Sequence, residues 1–89
     1  MKSVATRRFW VLFRALPVDI QKLAVKNYRL WCENPNHPSL HFRLLQGSKN
    51  RFTVRVGERY RALGRLDSST LIWVWIGSHA EYDRLVRSI

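Results

Sequence analysis

A histidine follows a segment that is expected to be a buried strand, and it is the most suggestive chemical group in the chain. Residues 71–76, LIWVWI, form an apolar run rich in β-branched and aromatic side chains. Gly77 ends the run, and Ser78 with Glu81 three residues later is a capping box, which predicts that a helix begins there. His79 would be its first residue, with an imidazole that can exchange protons near neutral pH. The capping box explains Ser78 and Glu81 without chemistry, but it does not explain a histidine between them.

Two segments before this histidine alternate between apolar and polar side chains, as half-buried strands do. Arginine dominates the polar positions, and its planar fork of N–H donors fits phosphate. The same alternation also occurs on strand faces that are merely solvated. Phosphate binding and plain solvation therefore both remain open. The polar positions are Arg51, Thr53, Arg55, Arg59, Arg61 and Arg65.

The charge balance favours a polyanionic partner. Sixteen Lys and Arg residues oppose six Asp and Glu residues, which gives a formal net charge of +10 in 89 residues. A small domain this basic usually binds nucleic acid, an acidic protein or an anionic membrane surface. The length predicts a single domain over residues 1–89.

The cysteine and histidine content argues against a disulfide or a metal centre. Cys32 is the single cysteine, and its apolar surroundings predict a small core residue. The three histidines are scattered, so neither a metal nor another cofactor is expected. His37 lies in a loop rich in proline and asparagine, where solvation is the expected state. Neither a signal peptide nor a transmembrane helix is apparent, and a cytoplasmic location is expected.

The first part of the chain predicts two helices. Thr6 is a suitable N-cap for a helix to about Ala15, and Pro17 suits the start of a second helix that ends near Glu33. Because almost nothing joins the two helices, an antiparallel helical hairpin is expected. Residues 2–5 are compatible with a short first strand or a disordered tip.

After the loop at residues 34–39 the hydrophobic period changes to two. Strands are expected over residues 40–46, 51–56, 59–66 and 71–76, followed by a helix to about Arg87. The short connections predict an antiparallel sheet of three or four strands. The helices should cover one face of the sheet and the arginines should line part of the other, in an α+β fold. Trp73 and Trp75 are expected in the core.

An ordered set of motifs resembles the RelE/ParE toxin superfamily. The set covers nearly the whole chain, and the junction at Leu16 and Pro17 also fits the family pattern. In this family a helical hairpin precedes a small antiparallel sheet and a final Gly-x-His or Gly-x-Arg segment. The motifs are LLQG at residues 44–47, RFTVRVG at residues 51–57, YRAL at residues 60–63 and IGSHAEY at residues 76–82.

The resemblance implies a toxin that cuts mRNA on the ribosome and is neutralised by a partner antitoxin, expected to be acidic and partly disordered. The family needs no metal: the ribose 2′-OH attacks the adjacent phosphate and the 5′-oxygen leaves. By position, Arg55 and Arg61 match basic family residues that stabilise the phosphate, and His79 matches a position that supplies acid–base chemistry. Tyr82 approximates an aromatic residue near the family's C-terminus. The remaining basic positions expected to bind substrate are Arg51, Arg59 and Arg65.

Two other functions are compatible with the sequence. The ParE branch of the same superfamily inhibits DNA gyrase, and His79 would then be dispensable. The second function is that of a basic RNA-binding module without catalysis. The aromatic residues do not interleave with the arginines, however, as a platform for base stacking would require. The identity of the general base also remains open, because Glu58 and Glu81 could act as bases but match no known base of the family. Thr53 stands where some active members have a lysine.

Overall fold

The computed structural model describes residues 1–88, and within them the chain folds around one five-stranded sheet. The sheet order is β1-β5-β4-β3-β2, with β1 parallel to β5 and all other neighbours antiparallel. A 3₁₀ helix spans Pro38–Leu40. The elements in chain order are β1 (Lys2–Ala5), α1 (Arg7–Arg14), α2 (Val18–Glu33), β2 (Arg43–Leu44), β3 (Arg51–Val56), β4 (Tyr60–Asp67), β5 (Thr70–Ser78) and α3 (His79–Arg87).

The α+β fold is confirmed, although the sheet has five strands where three or four were predicted, and one of its four strand pairs is parallel. Residues 2–5 form a strand that pairs in parallel with β5, which makes the sheet mixed and five-stranded. The strand expected over residues 40–46 shrinks to Arg43–Leu44. Pro38 starts a 3₁₀ turn there, and His41 follows in the left-handed conformation with φ +47°, so the chain becomes extended only after residue 41.

Helices α1 and α2 cover one face of the sheet and form the core with it. Trp31 of α2 lies against Trp73 of β5, with ring centroids 5.4 Å apart in an edge-to-face arrangement. Leu40 is fully buried in the same cluster and anchors the 3₁₀ turn. The prediction for Cys32 is wrong, because its side chain is exposed on α2. The remaining buried members of the cluster are Val54, Val56, Ala62, Leu71 and Ile76.

A register irregularity in β5 sends its two tryptophans to opposite faces of the sheet. Gly64 pairs with Trp73 and Leu63 pairs with Trp75, so Val74 is an extra residue opposite β4. Trp73 therefore faces the helices, whereas Trp75 lies on the other face beside Leu63. Both tryptophans are 7% exposed, so both are buried as predicted, although in different layers.

Helix α3 packs on this second face, which corrects the prediction that all helices lie on one side. The ring of Tyr82 lies 6.2 Å from that of Trp75, measured between centroids. The same face carries Arg51, Arg55, Arg61 and Arg65, and we call it the arginine face. Helix α3 thus stands beside the predicted site. No helix within residues 1–88 is long and apolar enough to cross a membrane.

Candidate active site

Arg55 and Arg61 occupy directly opposed positions in β3 and β4, so both project from the arginine face at the same level. We call these two residues the arginine pair. Like charges at directly opposed positions of neighbouring strands repel each other and destabilise a sheet. Among residues 1–88, no carboxylate forms a salt bridge with either guanidinium group. The arginine pair is therefore a concentrated positive charge suited to an anion.

The two guanidinium groups differ in their own hydrogen bonds. Nη1 of Arg61 donates to the carbonyl of Tyr60 at 2.9 Å and, more weakly, to that of Gly57 at 3.5 Å. These bonds hold Arg61 against the turn between β3 and β4. Nε of Arg55 is buried and has no hydrogen-bond partner in the described part of the chain. A buried donor without a partner costs about 1–3 kcal/mol, so the Arg55 guanidinium group is less well satisfied by the protein than that of Arg61.

Groups of the arginine pair and of α3 both affect the pKa of Arg61. Burial and the charge of Arg55 lower the pKa of Arg61, whereas Tyr82 and Asp83 raise it. An arginine remains charged despite such shifts.

His79 is the first residue of α3, as the capping box predicts. Ser78 Oγ accepts from the Glu81 N–H at 3.2 Å, and Glu81 Oε1 accepts from the Ser78 N–H at 3.2 Å. The His79 N–H donates to the carbonyl of Arg59 at 2.7 Å, which ties the start of α3 to the start of β4. The imidazole is half-exposed, and its Nε2 lies 3.4 Å from Oδ1 of Asp83.

Tyr82 lies over the arginine face, one helical turn after His79. Burial raises its pKa above the usual 10, and a polar contact with the side chain of Thr53 partly offsets this rise. The phenol ring thus bridges from α3 across β4 to β3. Its contact with Trp75 shows that packing on the sheet occupies at least one side of the ring.

The other predicted substrate residues are arranged unequally. Arg51 and Arg65 form a second opposed pair on the arginine face, four residues along each strand from the first. Arg59 lies in the turn before β4 and is exposed there, so it is not part of either pair.

The two carboxylates considered as bases are not placed for that role. Glu58 is exposed in the turn between β3 and β4. The Glu81 carboxylate accepts hydrogen bonds from the side chain and the backbone N–H of Ser78, and these bonds lower its pKa. A carboxylate stabilised in its charged form is a weaker proton acceptor.

Sequence reasoning missed His41, which the structure brings to the arginine pair. Its Nε2 lies 3.4 Å from Nη1 of Arg55, and its Nδ1 lies 3.4 Å from Nη2 of Arg43. The sequence predicted a strand over residues 40–46 and assigned no chemical role to His41. The available signal was the alternation after the loop, which places His41 and Arg43 opposite Leu40 and Phe42.

The site therefore contains two imidazoles, an opposed pair of arginines and a phenol. Two imidazoles can accept and donate protons near neutral pH, and the guanidinium groups can stabilise charge on a phosphate. Within residues 1–88, no group of three or more His, Cys, Asp or Glu side chains is placed to hold a metal ion.

The comparisons with known proteins agree with this architecture. The model of one protein family, described as the ParE-like toxin domain, matches residues 18–84. This range includes α2, all strands except β1, and most of α3. A search of curated protein sequences gave no match.

Three solved structures illustrate the fold. A chain of the RelB-RelE antitoxin-toxin complex from Methanococcus jannaschii aligns with a TM-score of 0.70 and 23% identity, covering 91% of this chain and 96% of that one. YafQ from E. coli strain BL21(DE3) aligns with a TM-score of 0.72 and 15% identity, with the same coverages of 91% and 96%. The isolated RelE toxin of E. coli aligns with a TM-score of 0.67 and 13% identity, covering 99% and 98%. At these identities the likeness establishes the fold alone.

Proposed function

The chain belongs to the family of ParE-like toxin domains, and we propose that it is the toxin of a toxin–antitoxin pair that cleaves mRNA on the ribosome. The observation that carries the nuclease activity is the arginine pair. Arg55 and Arg61 face each other without a carboxylate partner in the described chain, and Nε of Arg55 is buried and unsatisfied. A phosphodiester group between them would neutralise the repulsion and accept hydrogen bonds from both guanidinium groups.

The proposed reaction is an intramolecular transfer within the RNA. The ribose 2′-oxygen attacks the adjacent phosphorus, a proton leaves the 2′-OH, and the bond from phosphorus to the 5′-oxygen breaks. The products are a 2′,3′-cyclic phosphate and a 5′-hydroxyl. Arg55 and Arg61 stabilise the extra negative charge on the phosphoryl oxygens, and His79 exchanges a proton with a reacting oxygen.

The rest of the arginine face extends the substrate site. Arg51 and Arg65 lie on the same face and would contact neighbouring phosphates of the same strand. Tyr82 is proposed to border the reacting nucleotide. Arg59 is exposed beside the start of α3 and would bind ribosomal RNA or mRNA through its charge.

We propose that the antitoxin is acidic and partly disordered and covers the opposite side of the molecule. An apolar groove of about 390 Å³ lies between the helices and the β1 edge of the sheet. Its rim exposes Val4, Trp10 and Tyr28, which a soluble partner would bury. The RelE chain of Methanococcus jannaschii is found in complex with RelB. A net charge of +10 favours an acidic partner.

The experiment that tests the function is mRNA cleavage in a purified translation system, with and without ribosomes. Wild type should cut mRNA only on ribosomes, and His79→Ala and Arg61→Ala should each slow cleavage by about 100-fold. Arg29→Ala is the matched control, because it also removes one positive charge but lies exposed on α2, away from the arginine face. Melting temperatures of all variants show whether they are folded.

Each outcome has a distinct meaning. Cleavage that requires ribosomes and is lost in both site variants supports the nuclease. A fully active His79→Ala variant would remove His79 from the chemistry. A folded wild type that cuts no mRNA but elicits DNA-damage signalling on induction would replace the nuclease with gyrase inhibition. RNA binding without cleavage would identify a non-catalytic module.

A further inference from the structure

The chain holds His41 in a defined position on the arginine face. The residue follows the 3₁₀ turn in the left-handed conformation, with φ +47° and ψ +44°. Histidine tolerates this conformation better than most residues that carry a Cβ. Its neighbours are anchored on the other side: Leu40 is fully buried, and the ring of Phe42 stacks on that of Phe52 with centroids 5.0 Å apart. These two neighbours fix the backbone at His41, and its exposed imidazole lies beside Arg55.

The surroundings of this imidazole favour its neutral form. Each ring nitrogen lies 3.4 Å from a guanidinium nitrogen, Nε2 from Arg55 and Nδ1 from Arg43. A neutral imidazole has one nitrogen with a lone pair, so it can accept from only one of the two arginines, and an imidazolium can accept from neither. The pKa of His41 lies below the usual 6.5, first through partial desolvation and then through the charges of Arg55, Arg43 and Arg61.

The neighbour of His79 is a carboxylate instead of a guanidinium group. Its Nε2 lies 3.4 Å from a carboxylate oxygen of Asp83, which can form an ion pair with a protonated ring. The arginine pair lies between the two histidines along the sheet: His41 precedes β2 and contacts Arg55 of β3, whereas the N–H of His79 bonds to the carbonyl of Arg59 next to β4. The order along the sheet is therefore His41, Arg55, Arg61 and His79.

We propose that His41 is the general base that accepts the proton of the attacking 2′-OH, and that His79 is the general acid that protonates the departing 5′-oxygen. This assignment rests on the proposed nuclease function. The proton balance is complete: one proton passes from the 2′-OH to a ring nitrogen of His41, and one passes from His79 to the 5′-oxygen. Proton exchange with water then restores both histidines. Two titratable groups in opposite electrostatic surroundings are a common arrangement for such a pair.

The arginine pair also determines when His41 can act. Nη1 of Arg55 lies 3.4 Å from Nε2 of His41. A phosphate between Arg55 and Arg61 would draw this guanidinium group toward its oxygens and leave the imidazole lone pair to the 2′-OH. Substrate binding would thus expose the base at the point where the reacting hydroxyl lies.

The test uses mRNA programmed on ribosomes with one altered linkage, in which sulfur replaces the 5′-oxygen at the scissile bond. A thiolate leaves without a proton, so this substrate does not need the acid. On the normal linkage, His41→Asn and His79→Asn should each be about 100-fold slower than wild type in single-turnover cleavage. On the sulfur linkage, His79→Asn should recover to near the wild-type rate, whereas His41→Asn should remain slow.

Matched variants separate the chemical role of His41 from its structural role. Asparagine tolerates the left-handed conformation, so His41→Asn should remain folded. His41→Gly relaxes the backbone further and leaves space for free imidazole, which should restore a concentration-dependent part of the rate. His37→Asn is the control: His37 lies in the same loop, and its Nδ1 accepts from the Ser39 N–H at 3.2 Å. Asparagine can keep this capping bond, and full activity is expected.

The outcomes distinguish this inference from the function on which it rests. If wild type cuts and His41→Asn cuts equally fast, His41 is not the base and the nuclease function stands. If the sulfur linkage rescues His41→Asn instead of His79→Asn, the two roles are reversed. If His79→Asn stays slow on the sulfur linkage, it is not the acid. A wild type that cuts neither substrate overturns the nuclease function and this assignment together.

Discussion

Arg55 and Arg61 are paired residues of β3 and β4, with no carboxylate bridging to either within residues 1–88. Such a pair is expected to lower stability and to raise affinity for anions, because repulsion in the free protein is relieved by a bound phosphate. Arg55→Gln should therefore raise the free energy of unfolding by about 0.5 kcal/mol while slowing cleavage by about 100-fold. Urea unfolding and ribosome-dependent cleavage measure the two effects.

Lys22→Gln is the control for this prediction, since it removes one charge from an exposed position of α2. Its stability should change by less than about 0.5 kcal/mol, and its cleavage should be unaffected. Inorganic phosphate should also stabilise wild type more than Arg55→Gln at equal ionic strength. A loss of stability in Arg55→Gln, with an unchanged phosphate effect, would contradict the proposed strain between the arginines.

Much of this face could be predicted because it depends on local patterns. Strict alternation predicted that Arg55 and Arg61 lie on the same face of the sheet, and the capping box located the start of α3 at His79. These signals are short-range, so the sequence carries them without knowledge of the fold.

Other features depend on long-range packing that no local pattern encodes. The run LIWVWI is apolar at every position, so nothing marks Val74 as the extra residue that sends Trp75 to the second face. Strand β1 pairs with β5, about seventy residues later in the chain, and the four residues of β1 carry no signal for which strand they pair with. His41 lies in the site because the 3₁₀ turn before it changes the direction of the chain.

The pH dependence of stability should show that the surroundings of His41 lower its pKa in the folded protein. Desolvation and the charges of Arg55, Arg43 and Arg61 lower its pKa in the folded state, so the unfolded chain binds more protons just below pH 6.5. The stability of wild type relative to His41→Asn should therefore fall as the pH falls through 6.5 toward the folded pKa. Urea unfolding of both proteins over this range gives the difference. A pH-independent difference would show that the arginines do not act on this imidazole.

Tyr82 is expected to support the site through packing more than through its hydroxyl. Its ring contacts Trp75, 6.2 Å away between centroids, and it holds α3 on the sheet. Tyr82→Phe should retain most of the stability and activity, whereas Tyr82→Ala should lose about 2 kcal/mol of stability, because the ring is half-buried. Thermal unfolding and cleavage rates test this order. A stable but inactive Tyr82→Phe variant would instead assign chemistry to the hydroxyl.

Gly77 is required by the position of Trp75. A Cβ atom at residue 77 would lie 2.6 Å from Cζ2 and 2.8 Å from Cη2 of that ring. Gly77→Ala should therefore displace Trp75 toward Tyr82 and cost about 1–3 kcal/mol. Gly47→Asn is the control, because its site is open and asparagine tolerates its φ of +83°. Equal melting temperatures for Gly77→Ala and wild type would show that the ring can move without cost.

The capping box of α3 should contribute stability that depends on pH. The side chain and backbone N–H of Ser78 lower the pKa of Glu81 below 4.5, so the charged carboxylate stabilises the fold at neutral pH. This contribution should be complete above pH 4.5 and should be lost as the pH falls through the lower folded pKa. Glu81→Gln should be less stable than wild type at pH 7 and equal to it in strong acid.

A second variant, Ser78→Ala, and the cleavage activity of Glu81→Gln test this prediction further. Ser78→Ala removes the acceptor for the Glu81 N–H and should cost about 1 kcal/mol. It should reduce the pH dependence that Glu81 contributes without abolishing it, because the backbone N–H of residue 78 still donates to the carboxylate. Glutamine keeps an oxygen that can accept from the Ser78 N–H, so Glu81→Gln should leave the start of α3 and His79 in place. Because the Glu81 carboxylate serves the cap, ribosome-dependent cleavage by Glu81→Gln should match that of wild type at neutral pH. A 100-fold loss, of the size expected for a missing general base, would give Glu81 the role that we assign to His41.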